Sequence, residues 1–547
     1  MNKKDLGVIT QGSLSSGLEM KLNPSNSVED IRVGKFVVVE GKKNRFFSMI
    51  TDVSLNTSNP KILLDPPEDD GFISEILNGT GTFGNVEIQP MLMLERDAKS
   101  SVEELRPVKT IPGHFSKVCE SSEEDFKIVF GDENDPNKKL FNIGQPLDMD
   151  TPICLDLDRF IERSNGIFGK SGTGKSFLTR LVLCGTIYKK AAVNLIFDMH
   201  NEYGWQARSE NKGEVTVKGL KQLFNSEVIV FTMDQDSSKR RGISDAEEMF
   251  IALNQIEVED LALLKNELNL SEASIESAMI LRESLGPHWL STFANMGSFE
   301  IDEFVENGKG HSGALKALQR KLMKILDLKY VKTTTPTDSI NKIIKYLEAG
   351  KHVILEFGSQ NNLLSYMLAT NIITRRIHKK YVEVAEAYNA DPLNKPQPKK
   401  LMITIEEAHK FLDPSIAKST IFGTIAREMR KYFVTLLIVD QRPSGIDNEI
   451  LSQIGTRITA LLNDDKDIDA IFTGVSGGST LKTVLSQLDP KQQALILGYA
   501  VPMPVVIKTR AYNVDFYKAM GYLEVNEENK PQIIERGLKI ESELFPI

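Results

Sequence analysis

The amino-acid sequence predicts an α/β protein built on a parallel central sheet, with a small β-barrel ahead of it and a helical subdomain inserted into it. Three observations carry this. Up to about Asp150, short β-rich runs follow one another with turn residues between them and no long helix. From Asp156 onward, short apolar runs alternate with helical segments, the pattern of parallel strands buried on both faces. Between Ser244 and Lys345 that alternation stops, and Leu, Glu, Ala and Lys dominate.

Taken in chain order, "LGVIT", "GKFVVVEG", "FFSMITDV" and "VEIQPMLMLE" are the expected strands of the N-terminal barrel, residues 1–150. The stretch "ESSEEDFKIVFGDENDPNKK" is acidic and turn-rich and reads as a surface loop. The first part of the core, 151–243, holds "GIFG", "NLIFD" and "VIVFT". The helical insert, 244–345, contains "LKALQRKLMKILDL", whose apolar residues recur at helical spacing. The second part of the core, 346–510, supplies "HVILEF", "LMITIEE", "TLLIVDQ", "ITALL" and "ALILG". Asn389 to Lys400, with three prolines, is a loop. The tail, 511–547, is helical in composition.

Composition bounds the function. The chain has 547 residues, 41% hydrophobic and 26% charged, as expected of a globular protein. With 66 basic and 75 acidic residues the formal charge is −9, so no global basic field attracts nucleic acid; a ring with its cations confined to a pore remains compatible. The three cysteines, Cys119, Cys154 and Cys184, lack metal-type spacing and fit a reducing cytoplasm. No signal-peptide pattern and no membrane-spanning apolar run is evident, so cytoplasmic residence and no membrane association are expected.

The sharpest motif is "IFGKSGTGKS", Ile167 to Ser176, with Gly169, four residues, then Gly174-Lys175-Ser176. This is the spacing of a phosphate-binding loop. Gly169, Gly172 and Gly174 let the backbone turn several N–H groups toward one phosphate, with Lys170, Ser171, Thr173 and Phe177 completing the cradle. Lys175 is placed to reach the β/γ-phosphates and Ser176 to ligate Mg²⁺, so ATP with Mg²⁺ is the expected cofactor. A strand precedes the loop and a helix follows it, which aims the helix N-terminus at the anion.

Other candidates cluster at strand ends. "LMITIEEAHKF" delivers Glu406 and Glu407, whose side chains alternate in direction; Glu406 is assigned to the Mg²⁺ shell and Glu407 to the attacking water. Asp198, ending "NLIFD", would join the metal shell or position water. His200 has no partner of metal-ligating type nearby. Gln441, at the tip of "TLLIVDQ", can feel the γ-phosphate. Arg427, Arg430 and Lys431 lie on an expected helix: either a solvated basic face, or an arginine reaching a neighbouring subunit's nucleotide. "SSKRRG", Ser237 to Gly242, groups three cations after a strand end and is either a solvated surface turn or a candidate pore loop.

Together, "GKSGTGKS", "FDMHNEYG", "ITIEEAHKF" and "IAREMRKYFVTLLIVDQRPSGIDNEILSQIGTRI" resemble the HerA–FtsK branch of P-loop ATPases, above all the HerA hexameric DNA translocases. The resemblance implies a RecA-like core, a HAS-type barrel, and a homo-oligomeric ring, a hexamer, that pumps double-stranded DNA with ATP. It matches Lys175 and Ser176 to the phosphate and Mg²⁺ ligands, Asp198, Glu406 and Glu407 to the acidic cluster, Gln441 to the sensor and Arg430 to the arginine finger, with Arg427 its rival. Met429 stands where the family has glycine. The family further implies a separate nuclease or sirtuin-like effector, in DNA end processing or antiviral defence. A scaffold whose ATP-gated ring activates such an effector, with translocation secondary, is the alternative. A membrane-anchored coupling ATPase fits less well, for want of an anchor.

Overall fold

The computed structural model describes residues 3–64, 76–96, 105–208, 216–306, 310–335, 337–418, 420–475 and 478–522. The β-rich runs near the N-terminus close into a six-stranded antiparallel barrel. Around its wall the order is Asp5–Ser13, Gly17–Leu22, Thr82–Glu95, Asn44–Thr57, Phe36–Glu40 and Lys117–Glu120, and the last strand pairs back to the first. The two long strands shift register at Phe47/Ser48 and Ile50/Asp52. Such bulges bend a strand, which closure requires. Leu6, Met20, Val37, Ile50 and Ile88 fill the interior.

The second unit is a twelve-stranded sheet. Eight strands run parallel in the order Glu247–Glu248, Val228–Thr232, His352–Glu356, Val193–Asp198, Leu401–Glu406, Val434–Asp440, Asn165–Phe168 and Thr456–Thr459. Gln493–Gly498, Val505–Thr509, Leu140–Gln145 and Ile153–Asp156 extend it antiparallel. Both faces are buried, which is why the strands read as unbroken apolar runs. Leu195, Phe197, Ile403 and Ile405 belong to one apolar cluster, while Ile196, Met402 and Leu437 belong to the other. The phosphate-loop helix, Lys175–Tyr188, packs on this second face through Leu178, Leu181 and Val182.

The insert is a bundle of short helices between Val258 and Leu326. Its neck is a two-strand pairing of Ile251–Ala252 with Val331–Lys332. In the helix Ser312–Leu326, Leu315, Leu318, Leu322 and Ile325 form the buried stripe that the sequence spacing predicts. They share one apolar cluster with the first sheet face, so the insert is anchored to the core.

Two local expectations differ from the structure. The acidic stretch after Glu120 is no simple surface loop: Glu123–Phe130 is a helix with Phe126, Ile128, Val129 and Phe130 buried. Ser122 and Asp125 form a reciprocal capping box that starts it. The hairpin Leu140–Gln145/Ile153–Asp156 joins the core sheet, so the last barrel strand ends at Glu120, well before residue 150. In the tail, Val514–Ala519 is helical and Phe516 and Tyr517 are buried; the expectation for residues 523–547 lies outside the described residues.

Candidate active site

The loop after Asn165–Phe168 has the geometry its glycines predict. Gly169, Gly172 and Gly174 have φ of 155°, 79° and 91°. A methyl group on Gly169 would stand 2.8 Å from Thr173 Oγ1 and 2.9 Å from Ala460 Cβ. The loop folds around the Lys170 carbonyl, which accepts the Thr173 hydroxyl at 2.7 Å and Lys175 Nζ at 3.3 Å. Gly174 caps the fourteen-residue helix without a side-chain hydrogen bond. The first N–H groups of that helix therefore keep their donors for an anion. Ser176 and Phe177 line an adjoining cavity of about 530 Å³ with His200, Asn201 and Tyr512.

The sheet brings Lys175 and the paired carboxylates together. Burial lowers the Lys175 ammonium from its ordinary value, and Glu407, Asp440 and Glu406 oppose that shift. Glu406 is buried; its Oε1 accepts the Tyr203 hydroxyl at 2.9 Å and its Oε2 has no partner. The Tyr366 hydroxyl brackets its backbone, accepting the Glu406 N–H at 2.8 Å and donating to the Glu406 carbonyl at 2.9 Å. Burial first, then the charge on Asp198, pushes the Glu406 carboxyl well up.

Glu407 differs in kind. Its φ is +49°, left-handed backbone that side chains other than glycine rarely adopt. The strain turns the chain directly after the strand end, at the place where the chemistry is expected. Gln441 Nε2 stands 3.4 and 3.5 Å from its two carboxylate oxygens. His409 Nδ1 lies 3.7 Å from Glu407 Oε2 and 3.0 Å from Asp440 Oδ2. Asp440 also accepts the His409 and Arg442 backbone N–H groups at 2.7 Å each, which orders the segments bearing Glu407 and Gln441.

Asp198 lies at the same edge, but its carboxylate is committed to the backbone. Oδ1 accepts Glu202 N–H at 2.7 Å, and Oδ2 accepts Tyr203 and Gly204 N–H at 2.8 and 3.2 Å. Both oxygens hold the turn that carries Tyr203, whose hydroxyl meets Glu406. Arg427 closes the helix Ile421–Glu428, and its Nη1 is buried without a partner. Arg430 falls on the 3₁₀ turn Met429–Tyr432, and its side chain lies outside the described residues. In "SSKRRG", Lys239 and Arg240 are exposed, whereas Arg241 turns inward onto Glu356 at 2.5 Å. The candidate pore segment thus presents two of its three cations.

Tyr203, Tyr366, Glu356, His409 and Asp440 were not singled out by sequence reasoning. Tyr203, His409 and Asp440 lie inside motifs that were. Glu356 ends the apolar run "HVILEF" and so carries the same strand-end signal as Asp198 and Glu406, whereas nothing in the sequence near Tyr366, which reaches Glu406 from the helix Leu363–Ala390, signals the site.

Among the described residues no helix is long and apolar enough to cross a membrane. The HAS barrel domain family matches residues 6–80, and the family described as helicase HerA, central domain, matches residues 141–377. A DNA double-strand break repair helicase HerA of Sulfurisphaera tokodaii is 23% identical over 87% of this chain and 88% of its own. The protein of that name in Pyrococcus furiosus is 22% identical over 93% of this chain and 92% of its own. Among solved structures, the bacterial conjugative coupling protein TrwB aligns with a TM-score of 0.46 and 11% identity, over 71% of this chain and 92% of that one. With barrel, central domain and loop-bearing core in one chain, this protein has the organisation of a P-loop ATPase and is similar to the helicases named HerA along most of its length.

Proposed function

We propose that this chain hydrolyses ATP with Mg²⁺ and uses the cycle to drive double-stranded DNA through a ring of its own copies, a hexamer, serving a separately encoded nuclease or other effector. The observation that carries this is the meeting of the uncapped loop helix, Lys175 and the Glu406–Glu407 pair at one edge of the sheet. The residues fit both groups. The free N–H donors after Gly174 suit phosphate oxygens, and the unpartnered Oε2 of Glu406 suits a hard cation or its water. Ser176, on the first helical turn, offers a second oxygen ligand. Bound Mg²⁺ supplies charge neutralisation on the phosphates. Glu407 orients the attacking water, Gln441 registers the γ-phosphate beside it, and Asp198 keeps Tyr203 on Glu406. An arginine of the next subunit, Arg430 or Arg427, completes the charge.

The DNA part of the reading is supported by the relatives, which are named as DNA double-strand break repair helicases and align over most of this chain. The inward turn of Arg241 is the one observation favouring an ATP-gated scaffold, since it leaves fewer cations for a pore. Steady-state ATP turnover with Mg²⁺, with and without duplex DNA, decides. DNA-stimulated turnover that Lys175→Ala abolishes is expected. Turnover indifferent to duplex would favour the scaffold, and no turnover would refute both.

A further inference from the structure

The helix Gln235–Arg240 follows the strand Val228–Thr232 and ends beside the carboxylates of the site. It is fixed there twice. Arg241, the residue after it, donates to Glu356 Oε2 at 2.5 Å, and the Glu356 side chain is fully buried. At the other end, Asp234 Oδ1 caps the helix through Ser237 N–H at 3.0 Å, while its Oδ2 accepts the Ser359 backbone N–H at 3.1 Å. The neighbouring Gly358 N–H donates to Asn201 Oδ1 at 2.9 Å. Asn201 lies in the loop that Asp198 organises.

From Glu356 the contact continues inward. Glu356 and Asp198 are register partners on adjacent strands. A methyl on Gly204 would stand 2.2 Å from Glu356 Oε1, so that oxygen abuts the Gly204 backbone. Gly204 and Tyr203 both donate to Asp198, and the Tyr203 hydroxyl holds Glu406. The packing leaves no slack: Tyr203, Asp198 and Glu356 are all essentially without solvent exposure. A displacement of the helix therefore reaches Glu406 through buried, directly touching groups, while Lys239 and Arg240 stay exposed on its outer side.

We propose that Arg241, Glu356 and Tyr203 are positioning residues that set Glu406, and that Arg241 latches this setting to the exposed cations Lys239 and Arg240, so that a polyanion bound there changes ATP turnover. The inference rests on the DNA-motor reading above and names how the same site is regulated. An ion pair suits a latch, because a buried Arg–carboxylate bond is directional and is lost abruptly when either partner is withdrawn. Transmitting a binding event requires a second arrangement of this helix end in which the pair of Arg241 with the buried Glu356 is broken.

The test uses the full chain with Mg²⁺ and ATP, with and without duplex DNA. Tyr203→Phe keeps the ring and removes the hydroxyl; it is expected to lower kcat about tenfold while the KM for ATP stays within about twofold. Arg241→Gln is expected to abolish the stimulation by duplex, and Arg241→Lys to restore part of it. Glu356→Gln should behave as Arg241→Gln, and the double variant should be no worse than either single one, because they break one interaction. Should a single variant not fold, Arg241→Met with Glu356→Leu removes the pair without leaving a lone buried charge and carries the same expectation. A wild-type chain stimulated by duplex whose Arg241 and Glu356 variants are stimulated equally overturns the latch. A Tyr203→Phe chain with unchanged kcat overturns the positioning of Glu406. A wild type indifferent to duplex overturns instead the motor reading on which the latch stands.

Discussion

Glu407 combines a strained backbone with the water-orienting role proposed for it, and the two can be separated by substitution. Glu407→Gln keeps the backbone and the shape of the side chain and removes the charge and the base. Turnover should fall about 10²–10⁴-fold, the usual worth of a positioned general base, while ATP binding persists because Lys175 and the loop are untouched. Backbone strain is read from a second pair. At φ +49° an L-residue bears about 1–2 kcal/mol that glycine does not. Glycine in turn loses about 0.5–1 kcal/mol more conformational entropy than alanine on folding. The difference makes Glu407→Gly more stable than Glu407→Ala by up to about 1.5 kcal/mol, the reverse of an ordinary position. Denaturant midpoints of the two variants, measured beside nucleotide affinity and steady-state turnover, give both answers. An alanine variant more stable than the glycine variant would refute the strain, and undiminished turnover in Glu407→Gln would refute its role with water.

Completion of the site by a second subunit is checked by mixing inactive chains: Lys175→Ala with Arg430→Ala, and in parallel with Arg427→Ala. Rings shown to hold both variants should recover part of their turnover for whichever arginine acts in trans, and no recovery in either mixture would place both arginines in their own subunit or in the fold. His352 gives a pH signature away from the chemistry. It is buried, its Nδ1 accepts Asn194 N–H at 3.1 Å, and burial lowers it from 6.5 to about 3. The unfolded chain thus binds a proton that the folded chain refuses between those values. Stability present above pH 6.5 is lost as pH falls toward about 3, by on the order of 5 kcal/mol in full; His352→Gln should flatten that part of the acid-denaturation curve.

The sheet was legible because strands buried on both faces cannot alternate: "NLIFD", "LMITIE" and "TLLIVD" announce themselves as apolar runs ending in a carboxylate. The phosphate loop was legible because its backbone needs glycine at fixed spacing. The barrel could be read only as strands, since closure depends on pairings such as Leu18 with Ile88 that lie far apart in the chain. The acidic stretch misled because charge at Glu123 and Glu124 outweighed the capping pattern Ser122-x-x-Asp125 and the Phe126/Phe130 stripe behind it. Asp198 shows the limit for site residues. Its position at a strand end suits metal or water equally, and only the three N–H groups converging on it reveal what its oxygens do. Arg241 shows the same from the other side, for a cation in a basic run reads as surface until a buried partner across the sheet is seen.

The two sheets end in opposite ways. Among the described residues the barrel wall closes on itself, and the strand added to it, Arg106–Pro107 on Thr82–Glu95, is two exposed residues of which one is a proline with no N–H to offer, so copies side by side are left to meet there through side chains. Their mutual register is then free to be set, and reset, without breaking a backbone hydrogen bond. The large sheet is open, but at one margin it dwindles to the two residues Glu247 and Glu248. A margin that short and that acidic repels a second copy of itself. Strand addition between copies of this chain is thus disfavoured at both of these places.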